Sequence, residues 1–220
     1  MEYLGKYKGY HIATYDNKNF VRIFHHNSTN KVFFSNNTNI AKNQVYFINE
    51  TDRFSVLGYI NDDFKIDNKF NFMIYEPDDL PNDYFLFNQT NNPYKSNKAE
   101  NVHLDFRYNA CNRACSASDN FTGLTLSDTN NTYIDGAANE GGRWYSAIGA
   151  NNNWGDPNTI PGICCYNNTK YINTHTFELW IRFNDFDILE LFPIKNLCSV
   201  CLCKNMINLM LYVFIPIILS

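Results

Sequence analysis

Chemistry needs particular side chains within reach of one another, and the run Gly141–Cys165, GGRWYSAIGANNNWGDPNTIPGICC, is the richest source of them in this sequence. Saccharide sites pair an aromatic platform with Asn, Asp or Arg side chains that hydrogen-bond hydroxyls. Arg143, Asn152, Asn153, Trp154 and Asp156 supply those types and are the expected ligand-binding residues. Trp144 reads instead as the start of a strand that buries Ala147 and Ile148, with turns permitted by Gly149 and by Ile160-Pro161-Gly162. Trp154, between Asn153 and Gly155, is expected in solvent and is the better platform of the two.

Other sets are thinner. His25 and His26 are adjacent, so on a strand they point to opposite faces and do not share an ion. One partly buried and one exposed imidazole is the expected outcome. No Ser, Cys or Asp is tied to either by spacing, so no nucleophilic triad is read and no catalytic residues are expected. Acidic residues cluster at Asp62-Asp63 and Glu76-Pro77-Asp78-Asp79 with Asp83. A glycoside hydrolase needs two carboxylates about 5–9 Å apart across a cleft. Glu76 and Asp135 form the pair such an enzyme would use, and this is the alternative function. Loop carboxylates here, or at Asp119, Asp128 and Asp135, also suit Ca2+, without EF-hand spacing; no other cofactor and no metal ligands are expected. Phe87-Asn-Gln-Thr-Asn-Asn-Pro93 reads as a strand end followed by an Asx-stabilised turn.

The elements that must position these residues are short. Apolar or alternating runs recur at residues 11–15, 20–25, 31–34, 45–48, 54–60, 70–75, 84–87, 102–107, 123–126, 144–148 and 176–183. In the last, Phe177, Leu179, Ile181 and Phe183 face one way and Thr176, Glu178, Trp180 and Arg182 the other, as in a half-buried strand. Turn signals about every ten residues predict an all-β, single-domain antiparallel sandwich or jelly roll. A short helix fits within residues 37–51. The module is expected to span residues 9–187. A Cys-containing linker and a hydrophobic tail, residues 188–220, come after it.

Composition bounds the function class. The 220 residues are 45% hydrophobic and 18% charged, enough for one packed core. Net charge is −4 with no Lys/Arg stripe, which excludes a nucleic-acid partner. Aromatics reach 16%, with 18 Phe and 15 Tyr, and favour strands. Asn is abundant and favours turns, and an AT-rich genome accounts for much of the excess. Asn27, Asn36, Asn49, Asn88, Asn120, Asn130 and Asn167 open N-x-S/T triplets and are glycosylation candidates in a secreted chain.

Of the seven Cys, Cys111, Cys115, Cys164 and Cys165 are disulfide candidates, with pairing left open by the spacing. Cys198-x2-Cys201-x-Cys203 lacks the second half of a zinc site. No signal peptide is visible in MEYLGKYKGYHIATY, and an upstream one is expected if the chain is exported. Residues 205–220 carry no charge but fall short of the about 20 apolar residues of a spanning helix, and Pro216 interrupts them. They read as a short tail anchor with palmitoylated Cys198, Cys201 and Cys203, as a GPI signal cleaved near Ser199, or as an end produced by a mis-called exon. Membrane association through this tail is the leading reading.

A set of motifs in fixed order gives the chain a family look. They are Arg22-Ile-Phe-His-His-Asn-Ser28 with Phe33-Phe-Ser35, Gln89-Thr-Asn-Asn-Pro93, Gly123-Leu124, Thr132-Tyr-Ile-Asp-Gly136, Trp144-Tyr-Ser-Ala-Ile-Gly-Ala150, Ile160-Pro-Gly162 and Phe177-Glu-Leu-Trp-Ile181. Together they resemble a group of largely uncharacterised β-rich modules in animal extracellular proteins and in microbial and phage surface proteins. The match spans residues 20–183. Phe87 stands where that group has Trp, Ile163 where it has Pro, and Tyr75-Glu-Pro77 where it often has Tyr-Pro-Glu. The resemblance implies a lectin-like or adhesive module, extracellular or at the cell surface, with glycans or surface proteins as partners. It implies no enzyme activity. A purely structural module without a small ligand is the third reading.

Overall fold

Alternating apolar residues and Asn-rich turns build an all-β chain in which every strand pair among the described residues is antiparallel. The computed structural model describes residues 1–7, 9–35, 38–45, 52–78, 84–106, 121–127, 131–138, 145–152, 159–161 and 173–192. The strands are β1 (Glu2–Tyr7), β2 (Tyr10–Tyr15), β3 (Lys18–Asn27), β4 (Arg53–Ser55), β5 (Phe70–Tyr75), β6 (Tyr84–Gln89), β7 (His103–Phe106), β8 (Phe121–Leu126), β9 (Ile134–Ala138), β10 (Tyr145–Ile148), β11 (Ile160–Pro161), β12 (Asn173–Thr174) and β13 (Thr176–Phe183). A short helix, α1 (Thr38–Asn43), lies inside the segment that left room for one. The main sheet has eight strands in the order β1-β2-β3-β13-β5-β6-β7, with β4 also on β3. A second sheet runs β10-β9-β8, and β11 pairs with β12.

The last strand in sequence lies in the middle of the main sheet, between β3 and β5. Its Phe177, Leu179, Ile181 and Phe183 share one core with Val21 and Phe24 of β3, Phe70, Phe72 and Ile74 of β5, and Phe85 and Phe87 of β6. Leu124, Ile134, Ala147 and Ile148 of the smaller sheet belong to the same core. Rings meet at tilted or stacked angles, as in Phe72–Phe87 and Phe24–Phe34, both with centroids 5.4 Å apart. Such pairs add about 0.5–1.5 kcal/mol beyond their buried area. The other face of β13 is also largely covered, with Arg182 half-buried. Ala13, Phe20, Met73, Leu86 and Trp180 form a second cluster there, flanked by Met1, Tyr15, Tyr75 and Tyr84. The alternation in β13 is real, but the expectation of a half-buried strand fails because both faces have apolar cover.

A bulge in β3 sets which side chains meet. Leu179 pairs with Phe24 but Trp180 pairs with Arg22, so Ile23 is the extra residue. Its carbonyl accepts the Val56 N–H at 2.9 Å. The bulge falls where β3 changes partner on that edge, from β2 at Val21 to β4 at Phe24. The extra residue re-aims the side chains that come after it in the strand. Arg22 and His25, three apart, now face the same side, and His26 faces the main core.

Several segments differ from the sequence reading. Residues 31–34 form no strand: Phe34 is buried, and its N–H donates to the Ala150 carbonyl at 3.0 Å. Residues 54–60 divide into β4 and a 3-10 turn at Leu57–Tyr59. Val45 is buried outside any strand, and residues 46–48 lie outside the described set. β1 has no apolar alternation, yet pairs with β2 through a bulge between Tyr3 and Gly5. The sheet therefore starts ahead of residue 9. The core likewise runs past residue 187, because Leu189 and Phe192 are buried and the Phe192 ring stands 4.8 Å from Tyr10 and 5.4 Å from Phe64.

Candidate functional site

The base of the predicted ligand loop is rigidly built. Tyr133 N–H donates to the Ile148 carbonyl at 2.9 Å and Asn151 N–H to the Asn131 carbonyl at 3.0 Å. Ala147, Ile148 and Ala150 are fully buried. Gly149 sits at φ 76°, and a Cβ there would approach Ala41 Cβ to 2.9 Å and Tyr133 Cβ to 3.1 Å. Only glycine meets both conditions without strain. Asn152 comes next in an exposed bend, and the chain re-enters the core at Thr159 and Ile160. Arg143, Trp144, Asn153, Trp154 and Asp156 lie outside the described residues. So do Cys111, Cys115, Cys164 and Cys165, the tail from residue 193, and Asn36, Asn49, Asn120, Asn130 and Asn167.

A set that spacing did not reveal lies on the second face of the main sheet. Arg22 Nη1 donates to Glu178 Oε1 at 2.6 Å, and His25 Nδ1 donates to the same oxygen at 3.1 Å. Trp180 Nε1 donates to Glu178 Oε2 at 3.0 Å. All four side chains are buried. Burial alone would raise the Glu178 carboxyl, but the His25 hydrogen bond and the Arg22 charge outweigh it and hold the group below its usual range. Both oxygens are engaged, so this carboxylate is a poor proton acceptor and ties β3 to β13. No one-dimensional signal marks the set, because 22 and 25 share a face only through the bulge at Ile23.

The two histidines do take opposite faces, but neither is exposed. His26 is fully buried against Phe24, Phe33 and Phe34, with its Nε2 donating to the Val32 carbonyl at 2.8 Å. Burial lowers its pKa to about 4, with His25 and Arg53 adding to the effect against the Val32 bond. Phe87 is core, not a ligand contact. The turn after it is Asx-stabilised, since Asn92 Oδ1 accepts the Tyr94 N–H at 2.8 Å. Gln89 grips both backbone groups of Leu124, donating to its carbonyl at 3.0 Å and accepting its N–H at 2.9 Å. That joins β6 to β8 by a side chain.

The acidic candidates separate. Glu76 is wholly buried just after β5, while Asp135 lies in β9 with its side chain outside the described set. Asp63 takes the Asn61 amide as a cap, Asp62 pairs with Lys65 at 3.2 Å, and Asp78 accepts from the Thr176 hydroxyl. Among the described residues no group of three or more His, Cys, Asp or Glu is arranged to hold a metal ion. Of the glycosylation candidates, Asn27 ends β3 with its Oδ1 accepting the Thr29 N–H. Asn88 is a correction: it is 7% exposed inside β6 and its Nδ2, the atom a glycan would be joined to, donates to Asp105, so the amide is not presented for glycan attachment. Among the described residues no helix is long and apolar enough to cross a membrane. Comparison with protein families, curated proteins and solved structures finds no match.

Proposed function

We propose that the chain is an extracellular or cell-surface recognition module of sandwich type that binds carbohydrate through the loop from Asn151 to Asn158. One observation carries the reading: Ala150 before the segment and Thr159 and Ile160 after it are buried, so a short Asn- and Trp-bearing segment is anchored at both ends. Recognition residues commonly sit on loops held by a rigid scaffold. Arg143, Asn152, Asn153, Trp154 and Asp156 bring the aromatic and hydroxyl-binding types that such a loop needs. The motif resemblance supports the same reading, and export, glycosylation at Asn27 and a tail that meets the membrane belong to it.

A glycan array with the Trp154→Ala chain as comparison tests it. Saturable binding lost in the variant is the expected result. Retained binding sinks the loop assignment. Glycoside turnover abolished by Glu76→Gln or Asp135→Asn would move the chain to the hydrolases instead.

A further inference from the structure

The second face of the main sheet carries a polar row beside its apolar cluster. Asn71 pairs with Asn88 across β5 and β6, and Asn88 with His103 across β6 and β7. Arg182 lies one step beyond the Ile181–Phe72 pair, which puts it next to Asn71. Period 2 fixes their side: Asn71 shares parity with Met73, Asn88 with Leu86 and Arg182 with Trp180, all members of the second cluster. Asp105 joins the row, its two oxygens accepting from Asn88 Nδ2 at 3.4 and 3.2 Å, with His103 Nε2 3.5 Å from Oδ1.

The hydrogen-bonding capacity of this row is not used up among the described residues. Asn88 is 7% exposed and its Oδ1 has no partner there. Arg182 Nε is buried and also lacks one. Native folds leave few buried polar atoms unsatisfied, and two on one face, flanking one strand, call for an explanation. The row opens to solvent at His103 and Asp105, whose side chains are 68% and 41% exposed.

We propose that Arg182, Asn71, Asn88 and Asp105 form a saccharide-binding site, separate from the Asn151 loop. Guanidinium, amide and carboxylate groups alternate donors with acceptors, and each sugar hydroxyl is both. One cation and one carboxylate leave the row near neutral, which suits a polyol and not a polyanion. Arg182 and Asn88 stand two strand spacings apart, about 10 Å, so a ligand offering hydroxyls at more than one position reaches both. The site shares a ligand class with the loop but none of its residues, and either can fail alone.

Titration of the 15N-labelled full chain with methyl glucoside, methyl galactoside and methyl glucuronide tests the site. Saturable shifts at the Asn71 and Asn88 amides and at the Arg182 Nε–H signal are expected with at least one probe. Affinity should fall about tenfold or more in Arg182→Leu and in Asn71→Ala, with Tm unchanged in the first because the lost Nε–H has no partner among the described residues. No saturable shift on β5, β6 or β13 with any probe overturns the proposal. Shifts confined to Asn151 and Asn152 overturn it too, while leaving the loop reading standing. So does binding that neither substitution weakens.

Discussion

The main sheet has two faces built on opposite principles. One is a dry aromatic interior shared with the β8–β10 sheet, where Phe24, Phe72, Phe87 and Phe177 are wholly buried. The other mixes Phe20, Met73 and Trp180 with a buried Arg22–Glu178–His25 set and a polar row. The first is held by area and shape, which any well-fitting apolar set supplies. The second is held by partners that must all be present, because a buried charge left alone is costly. The contrast teaches where the fold is tolerant and where it is exacting.

A single truncation at the centre of either face gives the largest effects. Glu178→Ala strands Arg22 in the interior and should cost about 3–5 kcal/mol in chemical denaturation. Phe72→Ala on the dry face should cost a similar amount, through a cavity. The two losses differ in repair. Adding Arg22→Met to Glu178→Leu should recover only part of the stability, since it removes the stranded charge but leaves Trp180 Nε1–H and His25 Nδ1–H without the acceptor that Glu178 supplied. A double variant as unstable as Glu178→Ala would remove the distinction between the faces.

Acid comes next. His26 titrates at 6.5 when unfolded but at about 4 in its apolar box. The unfolded chain therefore binds the extra proton first, and stability falls as pH drops from 6.5 toward 4, by about 3 kcal/mol. Glu178, held below its usual range, adds a loss of the same sign at still lower pH, as the folded carboxylate takes its proton. Thermal unfolding between pH 7 and pH 4 should show the first slope, and His26→Phe should flatten it. Gly149→Ala, forced to a positive φ against Ala41 and Tyr133, should cost about 2 kcal/mol. Asn152→Ala, on an exposed bend, should move stability by less than about 0.5 kcal/mol. A large effect there would mean that the bend is scaffold.

The sequence made the strands legible where one period ran unbroken. Phe70–Tyr75 and Thr176–Phe183 agree with β5 and β13 to the residue. Gly149 and the buried Ala147 and Ile148 were readable because a turn former ends an apolar run. β1 was not readable: it is mostly exposed and joins the sheet through backbone pairing. β9, with Gly136 at its centre, lacks an apolar alternation. The Arg22–His25–Glu178 set and the Arg182–Asn88 row were hidden for a different reason. Their members come from separate strands, and spacing along a chain says nothing about which strands adjoin. Of the predicted ligand residues, only Asn152 falls where the structure describes it, exposed at the mouth of the loop.

The bulge at Ile23 also bears on how this strand can change length. Removing a residue elsewhere in β3 inverts every side chain beyond it, sending aromatics to the polar face and charges to the core. At Ile23 a deletion restores regular pairing and leaves Arg22 and His25 still facing Glu178. The cost is confined to one buried aliphatic side chain and the acceptor of the Val56 N–H. Single-residue deletions in β3 should therefore be survivable at the bulge and ruinous away from it.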